Sequence, residues 1–361
     1  MVQRIGVNAL YLIPGGVGGT EIYLRSLLAA LACIDTTSQF VVYSNRETGS
    51  DLTPPAPNFL SVPLPVHAAN RPARILYEQL LLPARLQRDR IDVLLNPGFT
   101  APLWPGRPQV TVIHDLQHKR HPEYFRWFDL PFWRFLVWAA VHRSDRLIAV
   151  SPATKTDLLT YYRIHEEKVT VVEHGVDDRF FEIARERNRI EPFLLCVSTL
   201  HPHKNIERLV RVFARLATRH PELRLVLAGM KGFHTTPIET LVADLGMGDR
   251  VELTGWIPRE ELYGYFRRAR GFVYPSTFEG FGMPVVEALA AEVPLACSRI
   301  EPLAGIVKGA AWLFNPEEEG EMEGAIERML NGPPPGAANP AREYSWTSAA
   351  QATLRALRSV V

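Results

Sequence analysis

Short, nearly unbroken apolar runs alternate along this chain with longer stretches in which apolar positions recur every three or four residues. The early runs are RIGVNAL (4–10), FVVYS (40–44), FLSVP (59–63), DVLLN (92–96), QVTVIHD (109–115), RLIAVS (146–151) and KVTVVEHG (168–175), each bounded by Gly, Pro, Asn or charged residues. Continuous apolarity over so few residues is what a parallel strand covered on both faces requires. Helical patterns lie between them at about 19–34, 73–89, 121–143 and 152–162. A charged stretch, EIARERNRIE (182–191), predicts a hinge, after which the alternation restarts. The later strands are FLLCVST (193–199), LRLVLAG (223–229), RVELTG (250–255), GFVYPS (271–276), PLACS (294–298) and AAWLFN (310–315), with helices at about 204–219, 237–246, 258–269, 282–292 and 317–331. The run GPPPGAANP (332–340) breaks this series, and 344–359 reads as a separate terminal helix.

Two successive β-α-β series predict an α/β protein of two doubly wound, Rossmann-like parallel-sheet domains facing each other across a cleft, with ligands at the carboxyl ends of the strands. The expected divisions are 1–185, 186–340 and a terminal segment 341–361. The length of 361 residues suits two such cores. A formal charge of +1 argues against nucleic acid as a partner, and 47% hydrophobic residues argue against disorder. Cys33, Cys196 and Cys297 lack ligand spacing and fit reduced thiols of a cytoplasmic protein. No signal-type apolar segment and no spanning helix is expected. Proline is in excess, 29 against 24 glycines, and punctuates element ends throughout.

Several segments could carry chemistry. The loop PGGVGGTEIYL (14–24) follows the first strand and opens a helix, so Gly18 and Gly19 would let backbone approach a ligand or simply make a tight turn. It is not a dinucleotide fingerprint, because Glu21 stands where a third glycine belongs. His114 ends a strand, where it would either hydrogen-bond a substrate hydroxyl or be a satisfied strand-end histidine. In STLHPHKN (198–205), Lys204 is a point charge at a helix start, which suits a phosphate but also solvent. PSTFEGFGMPVVEALA (275–290) is the richest segment. Glu287 lies in an otherwise apolar helix turn and can accept two bonds from a ribose diol, while Glu279 sits in the preceding glycine-rich turn. Gly280 and Gly282 leave room for backbone amides to meet a diphosphate, and helix capping is the competing reading of the two acids. No Asp-x-Asp or Cys-x-x-Cys pair and no Gly-x-Ser-x-Gly elbow occurs, so neither a metal-chelated diphosphate nor a serine hydrolase is expected.

Taken together, GGTEIY, VIHD, AVSPATKTDL, HGVD, STLHPHKN and PSTFEGFGMPVVEALA resemble the family-four retaining glycosyltransferases of GT-B fold, in family order over nearly the whole chain. The resemblance implies a nucleotide-sugar donor used without a metal or other cofactor, an acceptor domain first, a donor domain second, and a last helix that returns to the first domain. It implies Glu279 on the donor-sugar hydroxyls, Glu287 on the ribose, and Lys204 on the diphosphate. Gly18 and Gly19 would face phosphate and acceptor, with His114 beside the sugar; Gly280, Phe281 and Gly282 would complete the donor loop. His114, Glu279 and Lys204 form the implied catalytic set.

Three positions depart from the family pattern. Thr199 and His203 stand in the neighbourhoods where many members carry arginines, and His174 replaces the usual asparagine of HGVD. The Thr-Leu form before Pro-x-Lys-Asn resembles a branch associated with GDP-mannose. The expected activity is therefore transfer of mannose to a glycan or lipid-linked acceptor in cell-surface polysaccharide or glycolipid synthesis. The alternatives are a rhamnosyl-, glucosyl- or N-acetylglucosaminyltransferase using a dTDP or UDP sugar, an epimerase or phosphorylase, and a non-catalytic nucleotide-sugar binder. The aromatic, arginine-containing segment 121–146 could rest on the inner membrane surface, although apolar residues on nearly every side point to a buried helix.

Overall fold

The computed structural model describes residues 3–16, 18–230, 232, 234–332, 334 and 338–361. Its chain divides into two compact units, Met1–Gly175 with Trp346–Val361, and Val176–Ser345. The division thus falls at 175/176, earlier than the 185/186 expected. The supposed hinge holds ordered structure: helix Arg179–Glu186 buries Phe180 and Ile183, and the next strand begins at Glu191. The charges of helix Arg179–Glu186 mask a two-residue apolar stripe, Phe180 and Ile183. GPPPGAANP lies partly outside the described residues.

Unit 1 is built on a seven-stranded sheet of β1 (Arg4–Asn8), β2 (Gln39–Ser44), β3 (Phe59–Pro63), β4 (Val93–Asn96), β5 (Gln109–Ile113), β6 (Arg146–Ala149) and β7 (Val169–Val171). Their order is β3-β2-β1-β4-β5-β6-β7, and every pairing is parallel. The inner strands are almost wholly buried, as the apolar runs demand; the two edge strands are partly solvated, β3 having no fully buried residue and β7 burying only Val169. Helix Trp346–Arg358 belongs to this unit: Trp346 packs against the rings of Tyr23 and His174, and Arg358 donates to Asp35 at 2.9 Å.

Two helix predictions need correcting. The pattern at 73–89 is two helices, Arg71–Leu80 and Leu82–Arg88, because Pro83 removes a donor and its ring obstructs the preceding turn. The segment 121–143 opens as a short turn, Pro122–Tyr124, and becomes helical only from Leu130 to Arg143. That helix is not buried all round. Leu136, Val137, Ala140 and Val141 face the core, whereas Phe132, Phe135 and Trp138 are exposed, as are Trp127 and Phe128 before it.

Unit 2 carries a six-stranded sheet of β8 (Glu191–Val197), β9 (Arg224–Ala228), β10 (Val251–Gly255), β11 (Ala269–Tyr274), β12 (Leu295–Ser298) and β13 (Trp312–Phe314). The order is β10-β9-β8-β11-β12-β13, again all parallel. Its core packs helix Ile206–Arg219 through Leu209, Phe213 and Leu216 onto Leu225 and Leu227, with Ile326 and Met329 of helix Glu319–Leu330. Val176 pairs with Ser345, and its amide donates to the Tyr344 carbonyl at 3.2 Å. The chain therefore enters and leaves this unit side by side. In both sheets the strand order reverses once, between β1 and β4 and between β8 and β11, and such reversals open a crevice at the carboxyl ends of the strands.

Candidate active site

In unit 2, the loops leaving β8 and β11 are the two motif segments, STLHPHKN and PSTFEGFGM. They are laced together. Thr277 donates its amide (2.8 Å) and hydroxyl (3.2 Å) to the His203 carbonyl, and Asn205, in left-handed conformation at φ 58°, donates its side-chain amide to Pro275 (3.1 Å) and Pro316 (2.8 Å) carbonyls. This lacing brings Lys204 Nζ to 2.6 Å from Glu279 Oε1 and 3.3 Å from Tyr274 Oη, with side chains only 15% and 10% exposed for the ion pair. Burial first, and then the Glu279 charge, push the Tyr274 phenol well above its ordinary range, so it stays a neutral hydroxyl. Lys204 has three donors. Two are engaged here and one remains for a ligand.

Helix Met283–Ala290 starts beside this pair. Its cap, Gly282, has φ +113°, and a Cβ there would stand 2.4 Å from Leu303 Cδ2, so both conformation and space demand glycine. At the helix amino end Pro284 has no N–H and the Val285 amide donates to the Gly282 carbonyl at 3.0 Å, so the Met283 amide is the helix-start donor that can meet an anion. Phe281 is buried with its ring edge-on to Tyr344 at 5.7 Å, which makes it a packing residue of the loop. Thr199 accepts the His201 amide on its carbonyl at 2.9 Å, and the His203 ring stacks on His201 at 5.9 Å.

Glu287 is buried on that same helix, and Arg259 Nη2 lies 2.9 Å from its Oε1. Sequence reasoning missed Arg259. It begins helix Arg259–Arg268, stacks on the rings of Phe180 (5.0 Å) and Tyr263 (5.3 Å), and donates from Nε to Tyr263 Oη at 3.2 Å; Tyr263 in turn donates to Asp177 of HGVD. Burial opposes the Arg259 charge, but Glu287 and Tyr263 outweigh it and hold the guanidinium more firmly protonated than usual. A cation in the first turn of a helix works against the helix dipole. That mismatch after Pro258 was the available signal. One carboxylate oxygen of Glu287 is thus fixed, and a carboxylate still has acceptor capacity for a diol.

In unit 1, Gly18 (φ +57°) caps helix Gly19–Ile34, and Glu21 closes the loop by accepting the Gly15 amide at 2.7 Å while pairing with Arg25 at 2.9 Å. The residue that spoils a dinucleotide fingerprint therefore shapes this loop. One turn along, Tyr23 packs on His114 at 4.8 Å between ring centres, joining the glycine loop to the end of β5. His114 Nε2 lies 2.8 Å from the Pro97 carbonyl, and burial lowers its pKa to about 4 despite that bond. A neutral ring donating from Nε2 leaves Nδ1 as an acceptor. His174 packs 5.7 Å from His114 and stacks near Trp346. His114 and His118 also stand four apart, a spacing that zinc sites use on helices, but His118 Nε2 meets Tyr162 Oη at 2.8 Å instead, so the two nitrogens serve different partners. Among the described residues, no group of three potential ligands is gathered for a metal.

Unit 2 thus holds the largely buried Lys204–Glu279 ion pair at the strand reversal of a doubly wound parallel sheet. Residues 17–180 match the family model for Glycosyltransferase Family 4, and residues 178–345 match that for Glycosyl transferases group 1. The chain belongs to this family of glycosyltransferases. It is 26% identical to the O-antigen chain mannosyltransferase RfbU of Salmonella typhimurium, over 62% of this chain and 61% of that protein. It is 32% identical to the MMP alpha-(1->4)-mannosyltransferase of Mycolicibacterium hassiacum, over 63% and 58%. The match thus spans about three fifths of these relatives. Among solved structures, sucrose-phosphate synthase of Thermosynechococcus elongatus superposes with a TM-score of 0.73 at 20% identity, covering 99% of this chain and 94% of that one, which establishes the shared GT-B fold.

Proposed function

We propose that this chain is a retaining hexosyltransferase that moves mannose from GDP-mannose to a glycan or lipid-linked acceptor in cell-surface polysaccharide synthesis. The observation that carries the reading is the Lys204–Glu279 pair beside the amino end of helix Met283–Ala290, at the reversal of the second sheet. Lys204 and the Met283 amide at the helix start meet the diphosphate, Glu279 accepts donor-sugar hydroxyls, and Glu287, steadied by Arg259, accepts the ribose diol. The acceptor hydroxyl attacks the anomeric carbon on the face that the diphosphate leaves. The anomeric carbon–phosphate oxygen bond breaks, the new glycosidic bond forms, and the hydroxyl proton passes to the departing phosphate. Fixed positive groups around that oxygen supply the stabilisation such a step needs. His114 contributes a neutral acceptor nitrogen for a substrate hydroxyl, and no resident metal takes part. The mannose assignment is supported by the two curated relatives, both mannosyltransferases.

The test is a thermal-shift panel of GDP, UDP and dTDP sugars, followed by turnover in the presence of a chelator. GDP-mannose is expected to stabilise, by about 2.7 kcal/mol at a hundred times its dissociation constant. Glu287→Gln, which keeps the shape and a bond to Arg259, is expected to weaken donor binding ten- to a hundredfold. Stabilisation by UDP or dTDP sugars alone overturns the donor, and donor binding without any transfer or donor hydrolysis overturns the enzyme in favour of a binding protein.

The enzyme works at the cytoplasmic face of a membrane. No described helix is long and apolar enough to cross one. Trp127 is 84% exposed, and with Phe128, Phe132, Phe135 and Trp138 it forms an aromatic surface carrying Arg126 over Phe128 and Arg143 over Trp104. Aromatic rings with interleaved arginines suit an anionic lipid interface. Co-sedimentation with phosphatidylglycerol vesicles is expected, with Trp127→Ser/Phe132→Ser lowering the bound fraction at least fivefold; equal sedimentation with neutral vesicles, or none, refutes it.

A further inference from the structure

Arg74 is the one arginine that is fully buried among the described residues, and it stands apart from the partly buried ones. It lies one turn into helix Arg71–Leu80, which Asn70 caps by accepting the Ala73 amide at 3.2 Å, and it is only 7% exposed. A guanidinium carries five donors and is costly to bury unpaired. Elsewhere such groups are engaged: Arg250 donates to the carbonyls of Ala217, His220 and Leu223, Arg187 to those of Phe266 and Ala269, and Arg259 pairs with Glu287. Among the described residues, the Arg74 guanidinium has no hydrogen-bond acceptor and no carboxylate oxygen within 4.0 Å. Nor are its nitrogens among the sealed, unpartnered polar atoms, so they reach open space.

The nearest anion does not answer this need. Glu78, one turn on and buried, has its oxygens committed to Asn8 Nδ2 (3.2 Å), Thr100 Oγ1 (3.0 Å) and Gln79 Nε2 (3.2 Å). It acts on Arg74 only as a field. On the other side Arg71, one turn earlier, lays its guanidinium 4.8 Å over the Trp133 ring and repels Arg74. Burial works most strongly against the Arg74 cation, Glu78 offsets it in part, and Arg71 adds a smaller repulsion. Two cations three residues apart destabilise a helix face, and an anion bound between them reverses the sign.

The surroundings are rigid and well placed. Tyr11, in the loop after β1, is within the electrostatic reach of Arg74, and its hydroxyl makes a long 3.4 Å bond to the Thr20 carbonyl. Its ring is packed so closely that a Cβ on Gly98 would stand 2.3 Å away. Asn8 ends β1, Asn96 ends β4, and the two side chains are bonded at 3.0 Å. The cluster therefore sits at the strand reversal of the first sheet, where a doubly wound domain opens its crevice.

We infer that unit 1 holds a binding site for an anionic group, a phosphate or a carboxylate, on the sugar acceptor, with Arg74 as its principal ligand and Arg71 and the Tyr11 hydroxyl beside it. The inference rests on the glycosyltransferase reading for the word acceptor, but the site itself can be measured without turnover. Bidentate guanidinium contacts suit both oxyanions.

The experiment uses the full chain with its donor site filled by excess GDP, and thermal-shift titrations with methyl phosphate, with methyl glucuronide and with neutral methyl α-mannoside. One of the two anions is expected to stabilise the protein and the neutral sugar not; which one responds identifies phosphate or carboxylate as the source. Arg74→Gln is expected to weaken that response at least tenfold, and Arg71→Gln about threefold. No response to either anion, or a response unaltered in Arg74→Gln, overturns the inference. Should Arg74→Gln fail to fold, unaltered anion binding by Arg71→Gln overturns it equally. Absence of GDP binding by the parent would instead count against the proposed function, and the anion titrations would still be readable.

Discussion

Lys204→Ala is expected to abolish measurable donor binding, by at least about a hundredfold, and to lower the unfolding midpoint as well. The two effects have different causes. Removing the ammonium takes away a donor of the diphosphate, and it also leaves the Glu279 carboxylate, mostly buried, without its cation. Breaking one side of a buried pair costs about 3 kcal/mol or more, whereas replacing both partners is often neutral. The double variant Lys204→Ala/Glu279→Gln should therefore recover stability while remaining unable to bind nucleotide sugar. Thermal unfolding and donor titration on both proteins separate the terms. Parent-like donor affinity in either variant would sink the role given to Lys204; equal instability in both would mean that the ion pair is not what holds the β11 loop.

Acid should unfold this protein well before its carboxylates titrate. His114 and His118 are both held near pKa 4, by burial in each case and for His118 also by Lys119 and Arg134. Burial likewise lowers His174. An unfolded histidine titrates at about 6.5. The unfolded chain thus binds more protons between these values, so the stability contributed by the neutral rings is complete above about pH 6.5 and is lost as pH falls toward 4. For His114 and His118 the loss amounts to about 3 kcal/mol each at most. Asp35 acts in a separate window. Burial opposes its charge, but the amides and hydroxyls of Ser38 and Thr37 outweigh it and hold the pKa at about 2, so its contribution persists until pH falls from about 3.8 toward 2. Urea midpoints measured from pH 7.5 to 4.5 should fall steeply, and His118→Gln should flatten part of that slope. A midpoint independent of pH across this range would show that the rings are hydrated.

The strands were legible because burial on both faces leaves no room for polar positions, and a run such as QVTVI permits few other readings. Helix limits were less so. Pro83 divides 71–88 where periodicity alone runs on, and helix Arg179–Glu186 hides two buried residues among charges. The two motif loops could be placed at strand ends, but the contact between Lys204 and Glu279, 75 residues apart, exists only once β8 and β11 are neighbours. Arg259 and Tyr263 escaped for the same reason, since neither belongs to a motif and both are defined by what folds against them. The aromatic helix shows the converse limit. Apolarity on all sides predicts burial, yet nothing in the segment says which side its own fold leaves uncovered.

The pairing of Val176 with Ser345 has a consequence for the order of assembly during synthesis. Because the second unit opens and closes at adjacent points, its whole sequence emerges from the ribosome before helix Trp346–Arg358 does. The first sheet, made earliest, must therefore wait for the latest of these segments. Only then can Trp346 reach Tyr23 and His174, and Arg358 reach Asp35. The inserted unit is complete as a chain while its host is still missing a wall.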